Sequence, residues 1–232
     1  MRDSASVIGR AFSGLGSLTY GVIRASGNLC LAMILTVSMA QAETATIAAL
    51  GDSLTQGYGL PIEDGFVPQL EAWLRAEGAD VEVINAGVSG DTTAGGLSRV
   101  AWTLTPDVDA LILNLGGNDL LRGIDPAVSR ANLDGILQVA TEAGVDVLLV
   151  GLDAPGNYGT DYEVAFEGMF PELAETYGAD LYESFFAPLE ADTNVTAARA
   201  AYMQADGIHP NAAGVARIVS GIGPSVLDLI AP

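Results

Sequence analysis

From residue 46 onward, short apolar runs alternate with amphipathic stretches. Thr46–Leu50 (TIAAL), Val81–Asn85 (VEVIN), Ala110–Leu115 (ALILNL) and Val145–Val150 (VDVLLV) are short and end at or near glycine-containing turns, so they read as strands. Asp180–Tyr182 is a candidate fifth. Phe66–Glu77 has helical spacing, with Phe66, Leu70, Trp73 and Leu74 on one face. Ala94–Ala101, Pro126–Ala143, Tyr162–Tyr177 and Ala212–Leu229 are the other predicted helices. Pro126 suits a first helical turn and Gly144 a helix end. Gly221 and Pro224 are the two residues least suited to the interior of the last helix. ALILNL and VDVLLV are apolar on both faces, as in strands covered by helices on each side of a parallel sheet. The pattern predicts an α/β protein, a three-layer α/β/α sandwich around a central parallel sheet. No repeat, low-complexity tract or Pro-rich linker interrupts it, so residues 43–232 are expected to form a single domain. In such sheets, sites form beyond the carboxyl ends of the strands.

The first 42 residues depart from this pattern. Arg2, Arg10 and Arg24 are opposed only by Asp3, and Leu29–Ala40 is an apolar run without a charge. Ala40-Gln41-Ala42 then supplies the small-x-small pattern of a cleavage site. Residues 1–42 are therefore expected to be an export signal cut after Ala42, giving a periplasmic or secreted protein. The run is shorter than the roughly 20 residues of a membrane span. Cys30 lies inside it, which argues against a lipid-attached cysteine at a mature N-terminus. The expected product is a monomer with no stable membrane anchor.

Composition narrows the chemistry. The 232 residues include 9 cations, all Arg, against 29 carboxylates, a net charge of −20. This balance disfavours nucleic-acid binding, which needs a cationic face. A single Cys excludes an internal disulfide framework, and a single His excludes sites built on two or three imidazoles. No carboxylate cluster has calcium-loop spacing, so no metal and no cofactor is predicted. Losing three Arg and one Asp with the signal leaves 6 cations against 28 anions, a net −22, and no Cys for a thiol nucleophile.

Four segments carry candidate chemistry. Gly51-Asp52-Ser53-Leu54 follows the first strand, and Asn85-Ala86-Gly87-Val88-Ser89-Gly90-Asp91-Thr92 follows the second. Gly116-Gly117-Asn118-Asp119 follows the third, and Asp206-Gly207-Ile208-His209-Pro210-Asn211 lies near the C-terminus. A serine is a weak nucleophile without an adjacent base, and His209 is the only imidazole available. Asp206, three residues earlier, can orient that ring. Gly90 can bring a backbone N–H close to a developing oxyanion, and Asn118 can offer a side-chain amide. Taken singly, each residue also has a plainer role. Gly-Asp-Ser makes turns, Asp206 can sit in a turn before Pro210, and Asn118 can cap a helix.

In order and spacing, the four segments resemble the blocks of the SGNH hydrolases, also called GDSL esterases and lipases. GDSLTQGYG, NAGVSGDTT, LGGNDLLRG, NYG at 157–159 and DGIHPN are similar to the bacterial thioesterase I, lysophospholipase L1 and arylesterase branch. The likeness covers essentially all of residues 46–230. It implies a flavodoxin-like fold, Ser53 as nucleophile, His209 as base and Asp206 as its orienter. It further implies an oxyanion hole from the Ser53 N–H, the Gly90 N–H and the Asn118 amide. Asp52, Leu54, Asn157, Tyr158 and Ile208 are the implied substrate-contacting positions. The Gly57–Phe66 and Asp153–Thr160 loops are expected to flank an acyl groove. The implied activity is hydrolysis of carboxylic esters, and of thioesters, with short to medium acyl chains. An O-deacetylase acting on sugars and an inactive lipid- or glycan-binding module remain alternatives on the same fold. No Gly-x-Ser-x-Gly segment is present, so the α/β-hydrolase nucleophile elbow is not supported.

Overall fold

A computed structural model describes residues 44–190 and 195–231. The expected signal over 1–42, with Cys30, lies outside the described residues. Five strands, β1 (Ala45–Gly51), β2 (Val81–Gly87), β3 (Ala110–Asn114), β4 (Asp146–Val150) and β5 (Asp180–Tyr182), form one sheet. Their order is β2-β1-β3-β4-β5 and every neighbouring pair is parallel. This is the flavodoxin-like, doubly wound order. The chain steps outward from β1 to β2, then crosses back to β3 and continues the other way. The reversal opens a crevice at the carboxyl ends of β1 and β3.

Burial follows position in the sheet. All five residues of β3 are buried, and Ile47, Ala48, Ala49 and Leu50 of β1 have no exposed surface. The edge strand β2 alternates at its start, with Val81 and Val83 buried and Glu82 and Ile84 exposed. VEVIN therefore reads differently from ALILNL because one of its faces meets water. Helices α2 (Phe66–Ala76) and α9 (Ala212–Leu229) pack together on one side. On the other, α3 (Thr93–Thr103) packs on α5 (Pro126–Ala143), and α5 on α6 (Thr160–Tyr177).

Local signals explain the helix ends. The Asp125 carboxylate accepts a hydrogen bond from the Ala127 N–H, Pro126 occupies the first turn, and Gly144 stops α5 at φ +70°. By contrast, α9 runs through Gly221 and Pro224 without interruption. Its buried face, including Val215, Ile218, Val219, Ile222 and Val226, outweighs the roughly 3 kcal/mol that an interior proline costs in propensity. The glycines there make room for neighbours. A Cβ on Gly223 would sit 2.4 Å from the Trp73 ring, and one on Gly221 2.5 Å from Pro188. Four short helices carry no periodic pattern that the sequence could reveal: α1 (Ser53–Gln56), α4 (Gly117–Leu121), α7 (Ala187–Glu190) and α8 (Val195–Tyr202).

Candidate active site

Ser53 opens α1 directly beyond β1, at the topological crevice. The backbone there is crowded. A Cβ on Gly51 would fall 2.0 Å from Thr55 Oγ1 and 2.8 Å from the Asn114 carbonyl, and one on Gly87 2.3 Å from the Gln56 nitrogen. Arg99 ties the same strand ends together. Its Nη2 donates to the Gly51 carbonyl at 2.8 Å, its Nη1 to the Ala86 carbonyl at 2.6 Å, and its Nε to Asp91 Oδ2 at 2.8 Å. No spacing signal in the sequence pointed to this residue.

Asp52 caps α1. It is only 2 % exposed, and both carboxylate oxygens are occupied. Oδ1 accepts from the Leu54 N–H at 2.9 Å and Oδ2 from Asn118 Nδ2 at 3.0 Å. Burial pushes its pKa above the ordinary carboxylate value, while these two donors pull against that rise. Asn118 therefore does not cap a helix. It sits inside α4, whose cap is Gly116 at φ +122°, and Asp52 fixes the plane of its amide. With one N–H spent on Asp52, the other remains for a ligand. Asp119, the next residue, is 1 % exposed and accepts from the Thr93 N–H and hydroxyl and from the Ser129 hydroxyl. It anchors the start of α3 against α4 and α5, a role unmarked by any pattern beyond its place in the Gly-Gly-Asn-Asp turn.

The His209 segment arrives from the far end of the chain. His209 Nε2 lies 2.9 Å from Ser53 Oγ, across 156 residues of sequence, and His209 Nδ1 lies 2.7 Å from Asp206 Oδ2. The other Asp206 oxygen accepts from the Ile208 and His209 N–H groups at 2.9 and 3.0 Å. The carboxylate thus shapes the turn and touches the imidazole at once. The side-chain bond to His209, followed by these backbone donors, holds the Asp206 pKa down at about 2. An ionised Asp206 favours the tautomer with a proton on Nδ1, which leaves Nε2 free to accept from Ser53. The Tyr58 ring covers the imidazole at a centroid distance of 4.6 Å. Gln204 Nε2 donates to the carbonyls of Tyr58 and Pro210, lashing the histidine turn to the loop after α1.

The second segment contributes Gly90 at φ +82°, in the turn closed by the Asp91 N–H on the Val88 carbonyl. A groove of about 580 Å³ opens beside Ser53. Asp52, Leu54, Asn118 and Ile208 line it near Ser53, and Leu121, Leu152, Leu189 and Met203 extend its apolar wall. Asp153 and Pro155 join from the loop after β4. Asn157 and Tyr158 stand outside this lining. Tyr158 packs on Tyr162 and donates its hydroxyl to the Leu121 carbonyl at 3.3 Å. No group of three metal-ligating side chains stands together among the described residues.

A serine, an imidazole and a carboxylate in hydrogen-bonded series, next to free amide donors, can carry out acyl transfer. Comparison with known proteins bears on this arrangement. Residues 49–217 match the GDSL-like lipase/acylhydrolase family. The chain belongs to that family. It is a hydrolase of the GDSL (SGNH) type. It is 39 % identical over 202 residues to esterase TesA of Pseudomonas aeruginosa, covering 87 % of this chain and 96 % of the relative. It is 35 % identical over 185 residues to an arylesterase of Vibrio mimicus, covering 78 % and 88 %. Among solved structures, AlinE4, an SGNH-hydrolase family esterase, superposes with a TM-score of 0.65 at 42 % identity, covering 82 % of this chain and 99 % of that one. The resemblance read from the four sequence blocks thus holds for the family, and the expected sandwich holds for the fold of this GDSL hydrolase.

Proposed function

We propose that the protein is an exported serine esterase working through Ser53, His209 and Asp206. The observation that carries this reading is the continuous chain of contacts from Asp206 through both ring nitrogens of His209 to Ser53 Oγ. Ser53 Oγ attacks the ester carbonyl carbon while His209 Nε2 takes its proton. Asp206 stabilises the imidazolium that forms. The oxyanion lies against the Ser53 N–H, the Gly90 N–H and the Asn118 amide. Collapse of the tetrahedral species breaks the acyl–oxygen bond, and His209 returns the proton to the leaving alcohol. Water, deprotonated by the same imidazole, then releases the acid and regenerates Ser53.

The apolar wall of the groove favours an acyl chain over an acetylated sugar as occupant, with short to medium chains the expected range. A mature net charge of −22 disfavours anionic leaving groups such as coenzyme A over roughly a Debye length, about 8 Å at physiological salt. Aryl esters and zwitterionic lysophospholipids are accordingly preferred to acyl-CoA. Export rests on the cationic segment, apolar run and Ala40-Gln41-Ala42 site at the N-terminus.

A nitrophenyl ester series of increasing acyl length, run beside acyl-CoA and acetylated sugars, tests the substrate class. Highest kcat/KM on acyl-CoA at low salt, or on the sugars, overturns it. Stoichiometric labelling by an organophosphate, mapped to Ser53, separates an esterase from an inactive binder. N-terminal sequencing of exported protein is expected to begin at Glu43.

A further inference from the structure

We propose that Arg122 is a positioning residue that holds the Gly90 oxyanion donor in its working orientation. The inference rests on the reading above that the Gly90 N–H receives the oxyanion. That N–H belongs to the Ser89–Gly90 peptide, which is the central peptide of the Val88–Asp91 turn. In such turns the central peptide is the group that flips. A type II turn has its third residue near φ +80°, whereas the type I turn with the peptide reversed has it near −90°. Gly90 stands at φ +82°, and the atom a Cβ on it would meet is Arg122 Nη2 at 3.8 Å. A glycine can also reach both states at little cost. The placement of the N–H therefore depends on a contact from outside the turn.

That contact is Arg122, whose Nη2 donates to the Gly90 carbonyl at 2.7 Å. A reversal of the turn moves the Ser89 carbonyl and the Gly90 N–H and leaves the Gly90 carbonyl where it is, so this bond acts by fixing the position of the turn against α4 rather than by selecting its type. Arg122 caps the C-terminal end of α4, the same short helix that carries Asn118. The two side-chain-dependent donors of the oxyanion site are thereby referenced to one element. Asn118 offers its amide directly, and Arg122 grips the turn that offers the second N–H. Arg75, Arg99 and Arg130 are ion-paired to Glu71, Asp91 and Glu172. Arg122 has no carboxylate within salt-bridge distance among the described residues, which leaves its charge to the carbonyl.

Kinetics of the purified enzyme on a nitrophenyl ester test the assignment. Arg122→Ala and Arg122→Met are expected to lower kcat about 10- to 100-fold, less than the loss of a whole donor, with KM within about twofold of wild type. Arg122→Lys, which keeps a donor, is expected to recover part of that loss. Combining Arg122→Ala with Gly90→Ala should cost little more than Gly90→Ala alone, because both act through one N–H. Combining it with Asn118→Ala should cost the product of the two single losses. Activity within twofold of wild type in both Arg122 variants, a loss confined to KM, or full additivity with Gly90→Ala overturns the proposal. Asn118→Ala in the same series separates the two readings. A large loss there with an unaffected Arg122→Ala leaves the oxyanion site standing and removes only Arg122. An unaffected Asn118→Ala removes the oxyanion reading itself.

Discussion

The site has two halves built in opposite ways, and its two carboxylates show the contrast. Asp52 is buried at the end of β1, with both oxygens committed to groups in α1 and α4. Asp206 sits in a surface turn with its side chain 36 % exposed, bonded to the backbone of its own turn and to His209. Burial raises the pKa of the first, and local donors lower that of the second to about 2. The Asp52 side of the site is therefore part of the core, and removing a partner of Asp52 trades stability against chemistry. The His209 half is a local device laid against the core, and changes there are expected to alter chemistry with little effect on folding.

Ser53→Ala should have the largest effect, lowering aryl-ester turnover by at least about 10⁵-fold. Its thermal midpoint should stay near that of wild type, because the Ser53 hydroxyl bonds to His209 in an exposed turn and holds no buried group in place. Substantial residual turnover would break the assignment. Asp206→Asn should lower kcat by about 10³- to 10⁴-fold through loss of the carboxylate that selects the His209 tautomer. Its denaturant midpoint near neutral pH should fall only slightly, since an amide oxygen can still accept from Ile208 and His209 and only the contribution of the charge is lost. Asn118→Ala should lower kcat by about 10²- to 10³-fold and also destabilise by roughly 1–3 kcal/mol, because Asp52 loses a donor while buried. Equal stability of the Asn118 and Asp206 variants would erase the proposed difference between the halves.

The smallest effect is in acid. A carboxylate with a lowered folded pKa stabilises the fold above its unfolded value of 3.8, and that contribution is lost as pH falls towards about 2. Asp52 runs the other way. Its raised pKa means the folded state takes up a proton first, so its burial cost is relieved as pH falls through the range above 3.8. Urea titrations from pH 5 to 2 should show the stability advantage of wild type over Asp206→Asn shrinking below about pH 4. A constant difference across that range would contradict the Asp206–His209 pairing.

Several parts of this molecule were legible in one dimension because the forces behind them are periodic or local. Fully apolar ALILNL and VDVLLV announced a covered parallel sheet, and Pro126 with Gly144 marked both ends of α5. The expected last helix holds over Ala212–Leu229, and Trp73 and Pro188 fill the space its glycines leave. That packing comes from residues distant in sequence and has no local signal. The roles of Arg99, Asp119 and Gln204 have no local signal for the same reason, since each acts on backbone or side chains brought in from other elements.

The amino-acid order by itself determined which chemistries were available. One imidazole, and a serine directly after the first strand, made Ser53 and His209 the candidate pair. It also set Asp206 three residues from His209, a separation that a single turn converts into contact. Only the tertiary structure decided that Ser53 and His209 meet across 156 residues, and that Asn118 takes its orientation from Asp52. The physical reason is the parallel sheet. Its strand order brings the ends of β1 and β3 side by side, and burial between helix layers holds them there with a precision that no local preference supplies.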